Sequence, residues 1–346
     1  MLNSRILKLL EVKSKPICSE TSIILRQALW KSPAERFFWT FNMNVAQWTE
    51  WVYRKLDAAD LHFGHGTDNA RDEAAWLVLH AISARLDGSF DDWDRELGEL
   101  EEEQLRELLN ARITQKLPLA YLTGTARFAG LDFESGGAAL VPRSPIAELV
   151  LDRFRPWVDP ASACRVLDMC TGSGCIAIAI ARYLPRTRVD AVDISKEALE
   201  IAARNVSRHA VGDRVNLIES DLFRSVPACR YDLIVANPPY IPVESINALP
   251  GEYRAEPVLG LVSGSDGLDA TLSILVDAPR FLAENGVLVC EVGESEDRLL
   301  ALLPELPFLW LDFSRGGSGV FILTRAELES AGPQLAILLE ERKNVT

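Results

Sequence analysis

The run Tyr231-Asp232-Leu233-Ile234-Val235-Ala236 reads as a buried strand, and it stops at Asn237-Pro238-Pro239-Tyr240. Two consecutive prolines cannot extend a central strand, because each lacks a ladder donor and has a fixed φ. The chain must leave the sheet there, presenting an amide, fixed carbonyls and an aromatic ring at the strand's C-terminal edge. In an open α/β sheet that edge is where ligands bind. The plain alternative is a strand that merely ends at prolines. What stands upstream decides between them.

Upstream and downstream, strand–helix units repeat, the pattern of a mostly parallel sheet. Strands are predicted at 165–169, 188–193, 215–219, 231–236 and 286–292. Two more, 308–313 and 319–324, lack a full helical crossover between them and are expected to form an antiparallel hairpin. Before this region, residues 46–117 are helical in pattern. Trp48, Trp51, Val52 and Leu56 recur at helical spacing, as do Ala74, Leu77, Val78 and Ala81, then Leu97, Leu100, Leu105, Leu108 and Leu109. The loop His62–Asp68 reads as a turn with an Asp-type helix cap rather than a metal site, since no ligand cluster stands near its two histidines. Residues 126–141 alternate and carry Gly136-Gly137, so they read as a β-hairpin with its tip at Ser135–Ala138. A helix is expected from Ser144 to Phe154.

The expected fold class is therefore α/β and Rossmann-like, with a helical N-terminal domain and a β-hairpin linker. Its parts would be an extension at 1–44, a helical substrate-binding domain at 45–125, the linker at 126–141, a catalytic domain at 142–328 and a tail at 329–346. Residues 1–44 carry seven Lys or Arg against three Glu, in a chain whose net charge is −14. Met43 is followed by a stretch that reads as the start of a helix. The extension is accordingly expected to be dispensable or a start-site artefact.

That acidic balance argues against direct DNA binding, whose affinity comes largely from phosphate neutralisation by Lys and Arg. It suits a basic protein partner. The longest apolar run, Cys175 to Ala181, is far too short to span a membrane. The six cysteines lack C-x-x-C spacing and sit mostly in apolar runs, as reduced thiols of a cytoplasmic protein would.

The first strand of the larger domain ends in Asp168-Met169 and opens into Cys170-Thr171-Gly172-Ser173-Gly174 before an apolar helix. Small residues there let a ligand approach the backbone and let the helix N-terminus pack close to the sheet. The loop alone also satisfies a loose dinucleotide fingerprint. Asp193 ends the second strand, where a carboxylate accepts both ribose hydroxyls of an adenosine ligand or caps the next helix. Asp168 beside the loop suits a cationic sulfonium and repels a pyrophosphate. Asp221-Leu222 follows the third strand, placing an acid for the adenine amino group and an apolar cover for the ring. The predicted cofactor is S-adenosyl-L-methionine, held by Asp168, Cys170, Thr171, Gly172, Gly174, Asp193, Asp221, Leu222 and Asn237.

Methyl transfer from a sulfonium is an in-line displacement, so the protein must chiefly orient nucleophile and donor. A carboxamide or aromatic-base amino group is a poor nucleophile because its lone pair is delocalised. The Asn237 side-chain oxygen and the Pro238 carbonyl can accept its two N–H bonds, aiming the nitrogen and stabilising positive charge as it develops. Tyr240 would pack on the planar group. Asn237, Pro238 and Tyr240 are thus the expected catalytic residues, and Asn237, Pro238, Pro239, Tyr240 and Arg143 the expected substrate contacts. No metal is predicted.

From about Val45 to Glu327 the chain resembles the bacterial protein-glutamine N(5)-methyltransferases. The match rests on Pro118–Thr123, Phe128-Ala129-Gly130, Leu140–Leu149, Leu167–Cys175, Asn237–Tyr240, Glu256-Pro257 and Ser263–Leu268. Pro142-Arg143-Ser144-Pro145-Ile146-Ala147-Glu148, Cys170-Thr171 and Gly64–Asp68 look like the ribosomal branch rather than the release-factor branch. The resemblance implies a class I S-adenosylmethionine-dependent methyltransferase fold and, as substrate, a glutamine of large-subunit ribosomal protein three. It also implies a helical domain that helps hold that protein. Two departures stand out: Ser135-Gly136-Gly137-Ala138 where charged residues are usual, and Ala255 where a His is common. The rivals are release-factor methylation, adenine N(6)-methylation of nucleic acid, a dinucleotide-dependent oxidoreductase and a non-catalytic ribosome-assembly binder.

Overall fold

The structure is a computed structural model that describes residues 43–162, 164–314 and 316–343. The expectation for residues 1–44 falls, but for its last two positions, outside these residues. The chain divides into two compact units, 1–119 and 120–346.

The first unit is helical: α1 (Val45–Asp57), α2 (Ala70–Ala81) and α3 (Glu99–Thr114). Asn44 starts α1 with a capping box, its side chain accepting from the Gln47 amide while Gln47 returns a bond to the Asn44 N–H. The cap of α2 is Asn69, whose Oδ1 takes the Asp72 amide at 2.9 Å. The cap therefore stands one residue beyond the loop where an Asp was expected. Trp48, Val52, Leu56, Leu77, Leu105 and Leu109 form the core of this unit. Leu100, expected on the apolar face, is 80% exposed. The helix begins only at Glu99, and Leu100 falls on the outward side of its first turn. Inside this core Arg112 and Glu73 form a buried pair at 2.5 Å, and Arg112 also donates to the His62 carbonyl. Such a pair is costly to break from one side, since the remaining charge is left in an apolar setting. The histidines His62 and His65 meet edge to face at 5.9 Å. Among the described residues no group of three or more His, Cys, Asp or Glu could hold a metal ion.

The second unit begins with α4 (Leu119–Thr123), which straddles the division, and a hairpin of β1 (Thr125–Phe128) and β2 (Leu131–Glu134). Its turn is Ala129-Gly130, both with positive φ (47° and 78°), as a two-residue hairpin loop of the primed type requires. The Gly136-Gly137 pair, expected at the tip, instead follows β2 and leads into a small apolar cluster of Ala139, Ala198 and Ile201. Two glycines looked like the turn, but the shorter Ala-Gly loop fits strand twist and leaves Phe128 and Phe133 buried together.

After α5 (Ile146–Leu151), shorter than the expected Ser144–Phe154, the sheet is laid down by β3 (Arg165–Met169), β4 (Arg188–Asp193), β5 (Val215–Glu219), β6 (Tyr231–Ala236), β7 (Leu282–Glu291), β8 (Leu309–Trp310) and β9 (Val320–Thr324). The strand order is β5-β4-β3-β6-β7-β9-β8. The first five run parallel, and β9 is antiparallel to both β7 and β8. Period-two alternation divides the strands between two cores. Val166, Leu233, Val235, Val287 and Ile322 face one, with α5, α6 (Cys175–Tyr183) and the hairpin. Leu167, Ile234, Leu288, Cys290 and Phe321 face the other, with α9 (Asp269–Asp277), α10 (Glu296–Leu302) and α11 (Arg325–Lys343). Numbering of the helices is completed by α7 (Lys196–Arg208) after β4 and the short α8 (Val258–Leu261).

Two strands differ from expectation. β7 starts four residues early, because Asn285-Gly286 is absorbed as an irregularity against β6 instead of turning the chain. β8 is two residues long, an edge strand that stops once β9 is paired. Residues 329–343, expected as a tail, continue α11 without a break, and Leu335 lies in the same core as Leu328. No helix among the described residues is long and apolar enough to cross a membrane. The five described cysteines carry free thiols.

Candidate active site

A parallel sheet leaves a crevice where strand order reverses, here between β3 and β6 at their C-terminal edges. A cavity of about 690 Å³ opens there, within the range of small-molecule sites. One side is built by the β3–α6 loop. Cys170, Gly172 and Gly174 all have positive φ (61°, 55° and 79°), so the backbone curls tightly and presents amides rather than side chains. A Cβ at Gly172 would meet no atom within 4 Å, so the cradle over the loop is open at that point. Gly174 is different. A Cβ there would press on Ala202 Cβ at 3.1 Å and Ile178 Cδ1 at 3.2 Å, so this glycine closes the packing between α6 and α7 and stays off the cavity wall.

Asp193 at the end of β4 lines the cavity. Its Oδ2 accepts from the Gly172 amide at 2.8 Å and its Oδ1 from the Ser195 amide at 2.9 Å. Ser195, not Asp193, caps α7 by taking the Ala198 amide. Burial raises the Asp193 pKa, opposed by those backbone bonds. The carboxylate thus fastens the glycine loop to the neighbouring strand and keeps further acceptor capacity toward the cavity.

Asp168 is placed otherwise than its strand-end position suggests. It lies fully buried beneath the loop, off the cavity wall. Its Oδ2 accepts from Thr171 Oγ1 at 2.5 Å and from the Ala177 amide at 3.0 Å, while Oδ1 has no partner. Burial pushes its pKa up to about 7 despite the two bonds. The residue shapes the loop from below. The period-two alternation explains this: Asp168 shares the face of Val166, which is covered by α6.

Asp221 and Leu222, just after β5, also line the cavity. Asp221 pairs with the exposed Arg224 at 3.5 Å. Leu222 has φ 46°, which turns its side chain between the cavity and the second core.

The opposite wall is Asn237–Tyr240. β6 ends at Ala236, and Pro238 is buried. No described residue bonds the Asn237 side-chain amide, and no backbone donor takes the Pro238 carbonyl. Two acceptors are therefore held open at one corner. Tyr240 is held closely. Its carbonyl accepts from Ser295 Oγ at 2.8 Å, and its hydroxyl approaches Glu291 Oε1 at 3.3 Å.

Arg143 lines the cavity, but its guanidinium is engaged in a two-pronged pair with the buried Glu256, at 2.5 and 2.8 Å. Glu256 also accepts the Val141 amide. Arg143 stacks over Tyr253 at 5.1 Å. It is thus a clamp between two wall segments, where a direct substrate contact was expected. Sequence reasoning did not single out Glu291, Gly293 or Ser295. A strand-end acid followed by glycine, Glu291-Val292-Gly293, at the same sheet edge was the available signal.

Residues 47–124 match the PrmC N-terminal domain, and residues 148–247 match the methyltransferase small domain. The ribosomal protein uL3 glutamine methyltransferase of Xanthomonas campestris is 48% identical over 83% of this chain and 93% of its own. The protein of the same description from Xylella fastidiosa (strain Temecula1) is 48% identical over 83% and 92%. Among solved structures, a methyltransferase from Pyrococcus furiosus is 21% identical over 65% of this chain and 98% of that one, with a TM-score of 0.42. With a doubly wound sheet, a glycine loop tied to a strand-end carboxylate, and near-half identity along almost the full length of such relatives, the chain belongs to the ribosomal protein uL3 glutamine methyltransferase family.

Proposed function

We propose that the protein uses S-adenosylmethionine to methylate the side-chain nitrogen of a glutamine on ribosomal protein uL3. The observation that carries the chemistry is the open corner at Asn237 and Pro238. Both residues line the cavity beside Tyr240, and neither the Asn237 side chain nor the Pro238 carbonyl has a hydrogen-bond partner among the described residues. A primary carboxamide offers the matching pair of N–H donors.

The residues present fit the cofactor. The open cradle at Gly172 admits the methionine portion against backbone amides. Asp193 has acceptor capacity for ribose hydroxyls, and Asp221 with Leu222 offers an acceptor and an apolar cover for adenine. When bound, the cofactor supplies an electrophilic methyl group on a sulfonium. Asn237 and Pro238 would fix the two amide hydrogens, so the nitrogen faces that methyl along one line. As transfer proceeds the amide nitrogen gains positive charge, and both acceptors stabilise that charge more than the neutral ground state. No side-chain base is needed before transfer. Tyr240 would cover the planar carboxamide and exclude water. Asp168 contributes by holding the loop's shape.

The substrate reading is supported by the names of the 48%-identical relatives. It is tested by incubating the protein and labelled cofactor with purified uL3 and, separately, with purified release factor, followed by mass mapping. Methyl incorporation into a uL3 glutamine is expected. Incorporation into release factor alone would move the assignment to the other branch.

A further inference from the structure

Tyr240 is anchored by groups that come from three remote parts of the chain. Its hydroxyl reaches Glu291 Oε1 at 3.3 Å, at the end of β7. The other oxygen of Glu291 accepts from Ser144 Oγ at 2.5 Å, and Ser144 sits just before α5. Glu291 is buried, at 5% exposure. Behind the ring stands Gly293, with φ 47°. A Cβ there would come within 2.6 Å of Tyr240 Cε2 and 2.8 Å of Cζ. The Tyr240 carbonyl is held by Ser295 Oγ, and Gly267 packs so close to that carbonyl that a side chain has no room.

We propose that Glu291, braced by Ser144 and aided by the bare backbone of Gly293, is the positioning residue that sets the Tyr240 ring for the carboxamide. The inference rests on the reading that Asn237–Tyr240 receives the substrate amide. The hydroxyl of Tyr240 points into protein at Glu291, so the residue meets substrate through its ring and not through its oxygen. At 3.3 Å the O–H···O contact is longer than the usual 2.5–3.0 Å. It is a tether with slack, and such contacts commonly tighten when substrate closes the site. Ser144 keeps Glu291 from following any other donor, and the missing Cβ at residue 293 lets the ring lie flat against the backbone. Misplacing a packing group by about 1 Å is enough to lower the rate steeply while leaving cofactor affinity intact.

The test is a double-mutant cycle. It uses the full chain and whichever of uL3 or release factor the wild-type enzyme methylates. Glu291→Leu and Tyr240→Phe are each expected to lower kcat about tenfold, as loss of a hydrogen bond to a carboxylate does, with cofactor Kd unchanged. The double variant should be no worse than either single one. Glu291→Gln, which keeps an acceptor for the tyrosine, should stay within about threefold of wild type. Losses that multiply, an unchanged kcat in Tyr240→Phe, or a glutamine variant as impaired as the leucine one would each overturn the proposal. A second readout is independent of turnover. In protein with selectively labelled tyrosine, the Tyr240 ring resonance, identified by its absence from Tyr240→Phe, should shift or broaden in Glu291→Leu. An unchanged resonance overturns the proposal. A wild-type enzyme inactive on both substrates overturns the functional reading instead, while the resonance still decides the role of Glu291. If Glu291→Leu does not fold, Gly293→Ala takes its place, with the same rate loss and resonance change expected and wild-type behaviour refuting.

Discussion

The two walls of the cavity are made differently. On the cofactor side the holding bonds are local: Asp168 binds Thr171 and Ala177, and Asp193 binds Gly172 and Ser195, all within one strand–helix–strand unit. On the acceptor side the Asn237 side-chain amide has no partner among the described residues, and Tyr240 is fixed by residues 267, 291, 293 and 295. The first wall holds its loop in shape by its own bonds, although Asp168 Oδ1 beneath it has no partner among the described residues. The second keeps its two key acceptors open and spends its remote contacts on the ring beside them. A wall that must bind the same cofactor each cycle can be rigid and self-contained. A wall that must grip a reacting nitrogen needs unfilled hydrogen-bonding capacity in the resting state, held in place by neighbours.

The sharpest way to break this contrast is Asn237→Ala. Removing one of the two open acceptors is expected to lower kcat about a hundredfold or more while cofactor binding persists, because the interaction strengthens as charge develops. Methyl transfer rate and cofactor calorimetry on the same preparation decide it. Loss of cofactor affinity in proportion would mean that the walls are not separable.

On the other wall, Asp193→Ala should weaken cofactor binding by about 10- to 100-fold, the range for a charge-assisted hydrogen bond. It should also loosen the glycine loop, since the Gly172 and Ser195 amides lose their acceptor. Calorimetry and amide exchange at residues 170–174 test both effects.

Asp168 gives a stability signature to the cofactor wall. Its folded pKa is raised to about 7 from an ordinary 3.8 by burial. Between those values the folded chain keeps a proton that the unfolded chain releases, so this stabilising contribution is full below about 3.8 and lost as pH climbs through 7. The cost should reach on the order of 3 kcal/mol between pH 5 and pH 8. Asp168→Asn, which keeps an acceptor for Thr171 and Ala177, should flatten that dependence in urea melts at the two pH values.

The smallest effect belongs to Arg224→Ala. The Arg224–Asp221 pair is exposed on both sides, with 79% and 49% of the side chains accessible. Stability and cofactor affinity should stay within about 0.5 kcal/mol of wild type, as for most exposed ion pairs. A larger loss in affinity would show that Arg224 orients Asp221 toward the ligand.

How much of this was legible beforehand follows the same division. The strands at 165–169, 188–193 and 231–236 could be read because each is short, bounded by turn residues and buried along most of its length, and the edge strand 215–219 because its exposed Asn216 and Glu219 bracket half-buried Leu217 and Ile218. The glycine loop after β3 was legible because its glycines and acids are close in sequence. What could not be read was anything that hinged on a face or a partner. The Asp168 side chain points under the loop, and Arg143 is engaged by Glu256, 113 residues away. Gly136-Gly137 lost the hairpin turn to Ala129-Gly130, since strand twist and burial of Phe133 outweighed glycine count.

The sequence by itself determined the strand–helix rhythm, the abrupt exit at two prolines and the identity of the groups at the sheet edge, because these depend on local backbone limits and on spacing. Tertiary structure alone decided which of those groups face the cavity and which are consumed in holding it. Alternation assigns each strand residue to one face, and only the packed helices determine what covers that face. The partners of Tyr240 and Arg143 are distant in sequence, so only the folded chain brings them together.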